Sequence, residues 1–129
     1  MVKYLVTLIT PILLRAQAHI GHTEQEIYNF HKEIKFDKGK TDDGINYLMG
    51  KMPLGTFIYY FDQEGYTNFN LQVPYNSKCV NQQIAIYNEK YVPDGPRSWK
   101  AYLDSGYVMN ITLFWDEELL KFIFKYEGN

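Results

Sequence analysis

Two short acidic turns, each set between stretches rich in aromatic residues, constrain the fold of this chain most. The first turn is Asp62-Gln63-Glu64-Gly65 and the second is Asp116-Glu117-Glu118. Stretches with a strand pattern flank both turns, at residues 56–61, 66–73, 107–115 and 120–126. Aromatic and β-branched strands joined by tight turns are β-hairpins. Two hairpins in a chain of 129 residues predict an antiparallel sheet.

The alternation in residues 66–73 predicts how that strand is oriented. Three apolar side chains face one way and three amide side chains face the other: Phe69, Leu71 and Val73 against Asn68, Asn70 and Gln72. A strand that alternates in this way has one buried face and one wet face. We therefore expect the apolar set in the core and the amides in solvent. Residues 99–103 are a further predicted strand, residues 45–49 are a candidate short strand, and residues 37–44 have the composition of a loop.

Two segments have the period of a helix. Thr23-Glu24-Gln25-Glu26 is a capping box, and apolar residues follow it at helical spacing, which predicts a helix over residues 24–34. Asn76 or Ser77 can cap a second helix over residues 78–91. Prolines and glycine at residues 93–96 end that helix.

These elements together predict the α+β class, with one antiparallel sheet and both helices packed on one of its faces. The two halves also resemble each other, because Phe61-Asp62-Gln63-Glu64 aligns with Trp115-Asp116-Glu117-Glu118 and the helix faces align as well. The two offsets are 54 and 57 residues, so the repeat is not strict. A tandem α-β-β-β repeat is one interpretation, and an ordinary α+β hairpin protein is the other.

Residues 1–18 differ from the rest of the chain. Lys3 gives a basic start, residues 4–14 carry no charge and are mostly apolar, and Ala16-Gln17-Ala18 ends the segment with small residues. This order is typical of a secretory signal peptide, and the apolar stretch is too short for a membrane span. A buried N-terminal strand is the alternative. We expect cleavage after Ala18, a single domain over residues 19–129 without a transmembrane anchor, and a periplasmic or extracellular location.

Charge and cysteine content narrow the class of partner. Loss of Lys3 and Arg15 with the signal leaves 11 basic and 15 acidic side chains, a net charge of −4. Nucleic acid binding needs a clustered basic surface, so no nucleic acid partner is expected. Cys79 is the only cysteine, so it forms no internal disulfide and is expected to be buried as a small apolar residue.

The domain begins with Ile20-Gly21-His22-Thr23-Glu24-Gln25-Glu26-Ile27 and continues into an aromatic hairpin. This order resembles the short α-β-β units of the β-lactamase-inhibitor-like and outer-membrane-assembly lipoprotein folds, and the small exported proteins of Gram-negative bacteria. The lipoprotein members carry a lipid-bearing cysteine after the signal, and this chain has none there. The resemblance implies a binding or assembly role and places no functional residue.

Candidate chemical groups are few. His19 would be the first mature residue, and an N-terminal histidine can chelate copper through its amine and imidazole. His22 and His31 could add ligands, but their spacing of nine residues predicts different faces of the first helix. The carboxylates of the two acidic turns are expected in solvent, whereas acid–base catalysis needs carboxyls held in a cleft. We therefore expect no metal, no cofactor and no catalytic residue.

Aromatic residues make up 17% of the chain, too many for the core of so small a domain. Some aromatic area is therefore expected on the sheet face that no helix covers, where Tyr and Trp would carry binding energy. The candidate binding residues are Tyr60, Trp99, Tyr102 and Phe114. Ordinary cross-strand packing with the hydroxyls in water is the alternative.

The sequence as a whole favours an exported, non-enzymatic binding module that holds a protein, a peptide or a glycan of the cell envelope. Two alternatives stay open. One is a small exported enzyme with His31 and a nearby acid at its centre. The other is an immunity- or inhibitor-type protein that neutralises its partner through charge and shape, and a contiguous acidic patch would be its sign.

Overall fold

The computed structural model describes residues 17–104 and 106–128. The fold is α+β, with one antiparallel sheet of eight strands and two helices on one face, as predicted. Of the predicted signal peptide, only Gln17 and Ala18 lie among the described residues. None of the described helices has both the length and the apolar character needed to cross a bilayer.

The chain order is one helix, four strands, a second helix and four further strands. Helix α1 spans Glu24–Phe30 and helix α2 spans Ser77–Lys90. The strands are β1 Asp37–Lys40, β2 Asn46–Met52, β3 Gly55–Phe61, β4 Thr67–Pro74, β5 Val92–Pro93, β6 Ser98–Tyr102, β7 Val108–Asp116 and β8 Lys121–Gly128.

Side-chain caps fix where the helices begin. The backbone N–H of Glu26 donates to Thr23 Oγ1 at 3.2 Å, and the Glu26 carboxylate accepts from the N–H of Thr23 at 2.9 Å, which confirms the predicted capping box. Asn76 Oδ1 accepts from the N–H of Cys79 at 2.9 Å and caps α2. Both caps satisfy amides that have no partner inside a first turn.

The sheet order is β1-β2-β3-β4-β8-β7-β6-β5, and all neighbouring strands are antiparallel. The two halves of the chain meet where β4 pairs with β8. Each half contains four strands, so the predicted count of three is wrong. The missed strands are β1, in the expected loop, and β5, at the expected stop. The tandem repeat itself stays a prediction.

Both margins of the sheet have features that discourage pairing with another chain. Strand β1 has only four residues and carries Lys38 and Lys40. Strand β5 has two residues and ends in Pro93, which lacks a backbone donor. Short edges that carry lysine or proline are the usual protection against edge-to-edge association.

The core lies between the helices and the sheet face that they cover. Its largest fully buried apolar side chains come from four strands and α1: Tyr59, Tyr126, Phe57, Phe124, Ile27, Leu48, Met109 and Ile111. Cys79 is a free cysteine and is buried, in agreement with the prediction. Burial of aromatic and branched side chains on one sheet face provides most of the driving force for folding.

A chain of hydrogen bonds between side chains crosses this core. The Tyr126 hydroxyl donates to Gln72 Oε1 at 2.7 Å, and Gln72 Nε2 donates to Gln83 Oε1 at 3.0 Å. The hydroxyls of Tyr87 and Tyr126 are 2.6 Å apart. Because all four side chains are buried, each bond compensates a polar group that would otherwise be costly to remove from water.

Candidate functional site

Strand β4 is oriented opposite to the sequence prediction. Asn70 and Gln72 are fully buried on the face that the helices cover, and Phe69, Leu71 and Val73 are only half-buried on the other face. From Phe69 to Val73 the strand alternates as predicted, but with its faces exchanged; Asn68 is exposed as predicted, because the register shifts between Tyr60 and Phe61. The chain therefore places amides in the core and apolar groups on a sheet face over which no described helix packs. We call this second face the open face.

An aromatic row crosses the open face on three neighbouring strands. Tyr47 of β2 pairs with Tyr60 of β3, and their ring centroids are 6.1 Å apart. The Tyr60 ring lies 5.5 Å from that of Phe69 on β4. On the edge strand, the Tyr47 ring lies over Gly39, where any β-carbon would collide with it. Tilted rings at these distances stabilise one another, so the row is a fixed surface.

Aliphatic side chains extend this row along the same strands. Met49, Ile58 and Leu71 are cross-strand partners in the next row, and Val73 pairs with Thr56 in the row beyond. All of them are half-buried. We define the apolar patch as the seven open-face residues Tyr47, Met49, Ile58, Tyr60, Phe69, Leu71 and Val73. A contiguous apolar surface of this kind is a candidate for an interaction site.

The other half of the open face is mixed: Phe114 and Ile123 form an apolar pair on β7 and β8, and polar side chains lie in the next two rows. On β8, Lys125 pairs with Leu71 across the strand boundary, and its Nζ lies 3.2 Å from a carboxylate oxygen of Glu127. Asn110 and Thr112 continue these rows on β7. The apolar patch is thus bordered along β8 by a pair of opposite charges. An apolar centre with a polar border is the usual anatomy of a protein interface.

The four predicted binding residues do not form one site. Tyr60 lies in the apolar patch, Phe114 is half-buried on β7 of the same face, and Tyr102 is 66% exposed on β6. Four strand spacings of about 4.8 Å put roughly 19 Å between the strand positions of Tyr60 and Tyr102. Sequence reasoning missed Tyr47 and Phe69, which are the cross-strand neighbours of Tyr60.

The prediction that Trp99 lies on the open face is wrong. Trp99 is 2% exposed on the covered face, where it pairs with Ile111. Its Nε1–H donates to Asn88 Oδ1 of helix α2 at 2.8 Å. Burial of the indole between sheet and helix satisfies its single donor, so Trp99 supports the core.

A groove opens at the end of the apolar patch, between the β1–β2 and β3–β4 connections. Tyr60, Phe69 and Ile45 line it together with Asp43 and Asn68. Asp62, which also lines the groove, accepts backbone N–H bonds from Glu64 and Tyr66 at 3.0 and 2.9 Å. This carboxylate therefore stabilises its own turn, consistent with the expectation of a plain hairpin tip.

Three histidines meet beside helix α1, although the sequence predicted separate faces for His22 and His31. The Nε2 atoms of His19 and His31 are 2.7 Å apart, and the two side chains are 6% and 3% exposed. The His22 ring packs edge-on against that of His19 at 5.2 Å. A contact of 2.7 Å between two ring nitrogens is a hydrogen bond in which one imidazole donates.

The geometry of this cluster differs from an amino-terminal copper chelate. Such a chelate joins the amine of a histidine to its own Nδ1, whereas His19 turns Nε2 toward His31 and its backbone nitrogen donates to Asn70 Oδ1 at 2.7 Å. Within residues 17–104 and 106–128, no three His, Cys, Asp or Glu side chains are placed to hold a metal ion. The cluster connects the residues before α1 to the helix end.

No protein family model, curated protein or solved structure matches the chain. The resemblance to inhibitor-like and assembly-lipoprotein folds therefore stays a prediction.

Proposed function

We propose that this chain is an exported, non-enzymatic binding module that holds a folded protein partner on its apolar patch. The orientation of β4 carries the proposal. A strand with three apolar and three polar side chains normally buries the apolar set. Here Asn70 and Gln72 occupy the core, and Phe69, Leu71 and Val73 are left for another surface to cover.

The chemistry of the patch favours a protein over a glycan. Tyr47, Tyr60 and Phe69 could stack on either, but Met49, Ile58 and Leu71 offer nothing to sugar hydroxyls. A broad sheet face with an apolar centre and the Lys125–Glu127 pair at its border has the composition of a protein interface. Export to the periplasm or cell surface rests on the signal-like order of residues 1–18.

The enzyme alternative receives less support. His31, its proposed centre, is 3% exposed and its imidazole contacts His19. A catalytic group has to reach the substrate within hydrogen-bond distance, and the grooves described among residues 17–104 and 106–128 are not lined by His31.

Two matched variants test the binding proposal. Leu71→Glu and Thr112→Glu each place a carboxylate at a half-buried open-face position directly opposite Lys125, one in the apolar patch and one in the polar rows of β7. The tagged chain is crosslinked in its own cells, the partner is identified by mass spectrometry, and its affinity for the purified chain is measured by calorimetry. A carboxylate in the centre of an interface weakens binding at least tenfold, or about 1.4 kcal/mol.

We therefore expect Leu71→Glu to weaken partner binding by that factor and Thr112→Glu to change it less than about twofold. Circular dichroism of both variants controls for folding. Equal affinity of Leu71→Glu and the unchanged chain would contradict the proposal, as would a partner that is a polysaccharide. The intact mass of the chain in the cell envelope tests export separately, because a retained Met1 contradicts cleavage after Ala18.

A further inference from the structure

A second apolar surface lies at the β7–β8 hairpin, at the opposite end of β7 from Tyr102. Three of its residues are large, apolar and well exposed: Trp115 at 43%, Leu119 at 57% and Leu120 at 67%. The Phe122 ring supports Trp115 from below, with centroids 5.1 Å apart in an edge-on arrangement. We call Trp115, Leu119, Leu120 and Phe122 the hairpin wedge. Neighbouring exposed leucines with a tryptophan are unusual at a turn, where polar residues and glycine dominate.

The backbone of Leu120 makes this composition more informative. Its φ is +54°, and it is the only residue other than glycine with a positive φ among the described residues. The left-handed region brings a β-carbon too close to the carbonyl oxygen, so a leucine destabilises the turn relative to glycine. At 67% exposure, Leu120 gains little packing in return. The chain therefore has an exposed leucine at a position where glycine would stabilise the fold more.

The charges around the wedge indicate the chemistry of its partner. Asp116, Glu117 and Glu118 precede the two leucines, whereas two bases lie nearby: Lys121 pairs with Asp116 at the start of β8, and the Arg97 guanidinium lies 5.1 Å from the centre of the Phe122 ring. Acidic groups therefore outnumber basic ones, and they are concentrated at the tip. Asp116 Oδ1 accepts the N–H of Leu119 at 2.8 Å, which holds the acidic turn directly beside the apolar tip. Anionic lipid headgroups would repel this turn. A protein surface with lysine or arginine around an apolar pocket would attract it.

We propose that the hairpin wedge inserts into an apolar pocket of a partner protein, and that basic residues form the rim of this pocket. The wedge lies outside the apolar patch, so this inference does not depend on the function proposed for the open face. Leu119 and Leu120 enter the pocket, Trp115 covers its mouth, and Glu117 and Glu118 meet the basic rim.

The first test separates binding from folding. Leu120→Gly relieves the positive-φ conformation, so the midpoint of thermal unfolding is expected to rise by roughly 4 °C. Leu120→Asn, which also tolerates this conformation, is expected to shift it in the same direction. A leucine kept for packing would give a lower midpoint in both variants, and that result would overturn the proposal.

The second test identifies the occupant. A photoreactive amino acid replaces Leu119 in the full chain, the cells are irradiated, and the adduct is mapped by mass spectrometry. We expect one protein adduct whose crosslinked site carries apolar residues flanked by Lys or Arg. Both Leu120→Gly and the double change Glu117→Lys with Glu118→Lys are expected to reduce its yield at least fivefold. The same probe at exposed Tyr102, on β6 beside the start of β7, is the control and is not expected to give this adduct.

Each of the following outcomes contradicts the proposal for the hairpin wedge. A lipid adduct, a protein adduct without basic residues at the crosslinked site, the same adduct from the Tyr102 probe, or no adduct would each overturn it. Leu71→Glu, which tests the open face, is expected to leave the wedge adduct unchanged. A failure of the open-face proposal is therefore distinguishable from a failure of this one.

Discussion

The paired central strands β4 and β8 use the two faces of the sheet in opposite ways. Strand β8 puts Phe124 and Tyr126 under the helices and Lys125 and Glu127 on the open face, which is the ordinary arrangement. Strand β4 puts Gln72 beside Phe124 in the core and Leu71 beside Lys125 outside. The comparison teaches that hydrogen bonds, and not only apolar character, decide which side chains are buried at the centre of this sheet. It also shows why half of the open face is apolar.

The largest expected effect is the destabilisation of the covered face of the sheet at alkaline pH. Burial raises the pKa of Tyr59, Tyr87 and Tyr126 above the ordinary value near 10. Above pH 10 the unfolded chain loses phenol protons that the folded chain keeps, so the free energy of unfolding falls as pH rises. At pH 10 an unfolded phenol is only half ionised, so each buried phenol contributes about 1 kcal/mol between pH 10 and 11, and three give a loss of about 3 kcal/mol.

Urea unfolding at a series of pH values from 8 to 11 measures this slope. Tyr87→Phe is the control, because removal of one buried phenol is expected to reduce the loss between pH 10 and 11 by about 1 kcal/mol. A free energy of unfolding that is constant up to pH 11 would show that the tyrosine hydroxyls are not held as described.

The two faces of β4 can be compared directly at neighbouring residues. Gln72→Ala removes the acceptor of Tyr126 and the donor to Gln83, so we expect a loss of about 3 kcal/mol in the free energy of unfolding. Leu71→Ala, one residue away on the open face, is expected to cost about 1 kcal/mol because the side chain is only half-buried. Chemical denaturation measures both. If the leucine costs as much as the glutamine, the contrast between the faces is wrong.

The histidine cluster extends the same design to the end of helix α1. His31→Ala leaves the buried His19 ring without this hydrogen-bond partner, and we expect a loss of about 2 kcal/mol in the free energy of unfolding. His22→Ala is the matched control and is expected to cost less, since the His22 side chain is 33% exposed. Thermal unfolding checks the pair. If both variants lose the same free energy of unfolding, the hydrogen bond of His31 does not stabilise the fold as described.

Local pattern was sufficient to predict most elements of the fold. Helix α2 was expected at residues 78–91 and spans Ser77–Lys90, because the cap at Asn76 and the proline-rich stop define its ends. Helix α1 was expected to reach residue 34 but ends at Phe30. The backbone of His31, the next residue, leaves the helical region, and its imidazole contacts His19. That contact joins residues twelve apart, so helical periodicity does not encode it.

The assignment of faces depends on information that a single strand lacks. Alternation gives a period of two, and a strand turned over keeps the same period. The burial of Asn70 Oδ1 and of the Gln72 amide group is compensated by distant groups, since the His19 N–H donates to Asn70 Oδ1 and Gln83 Oε1 accepts from Gln72 Nε2. Trp99 is buried because Asn88 on α2 meets its indole N–H. Strands β1 and β5 were missed since their charged or proline-containing residues become strands only by pairing with β2 and β6.

The guarded margins of the sheet have a consequence for how this protein assembles. Lysines on edge strand β1 and Pro93 on edge strand β5 discourage the pairing of further strands. The open face of the sheet is the remaining broad surface. Under the proposed function a partner covers this side, and its binding is expected to saturate at a fixed ratio. Growth into fibres needs a contact that regenerates itself, and the edge strands at residues 37–40 and 92–93 discourage such a contact. Concentrated preparations are expected to yield discrete complexes of defined mass.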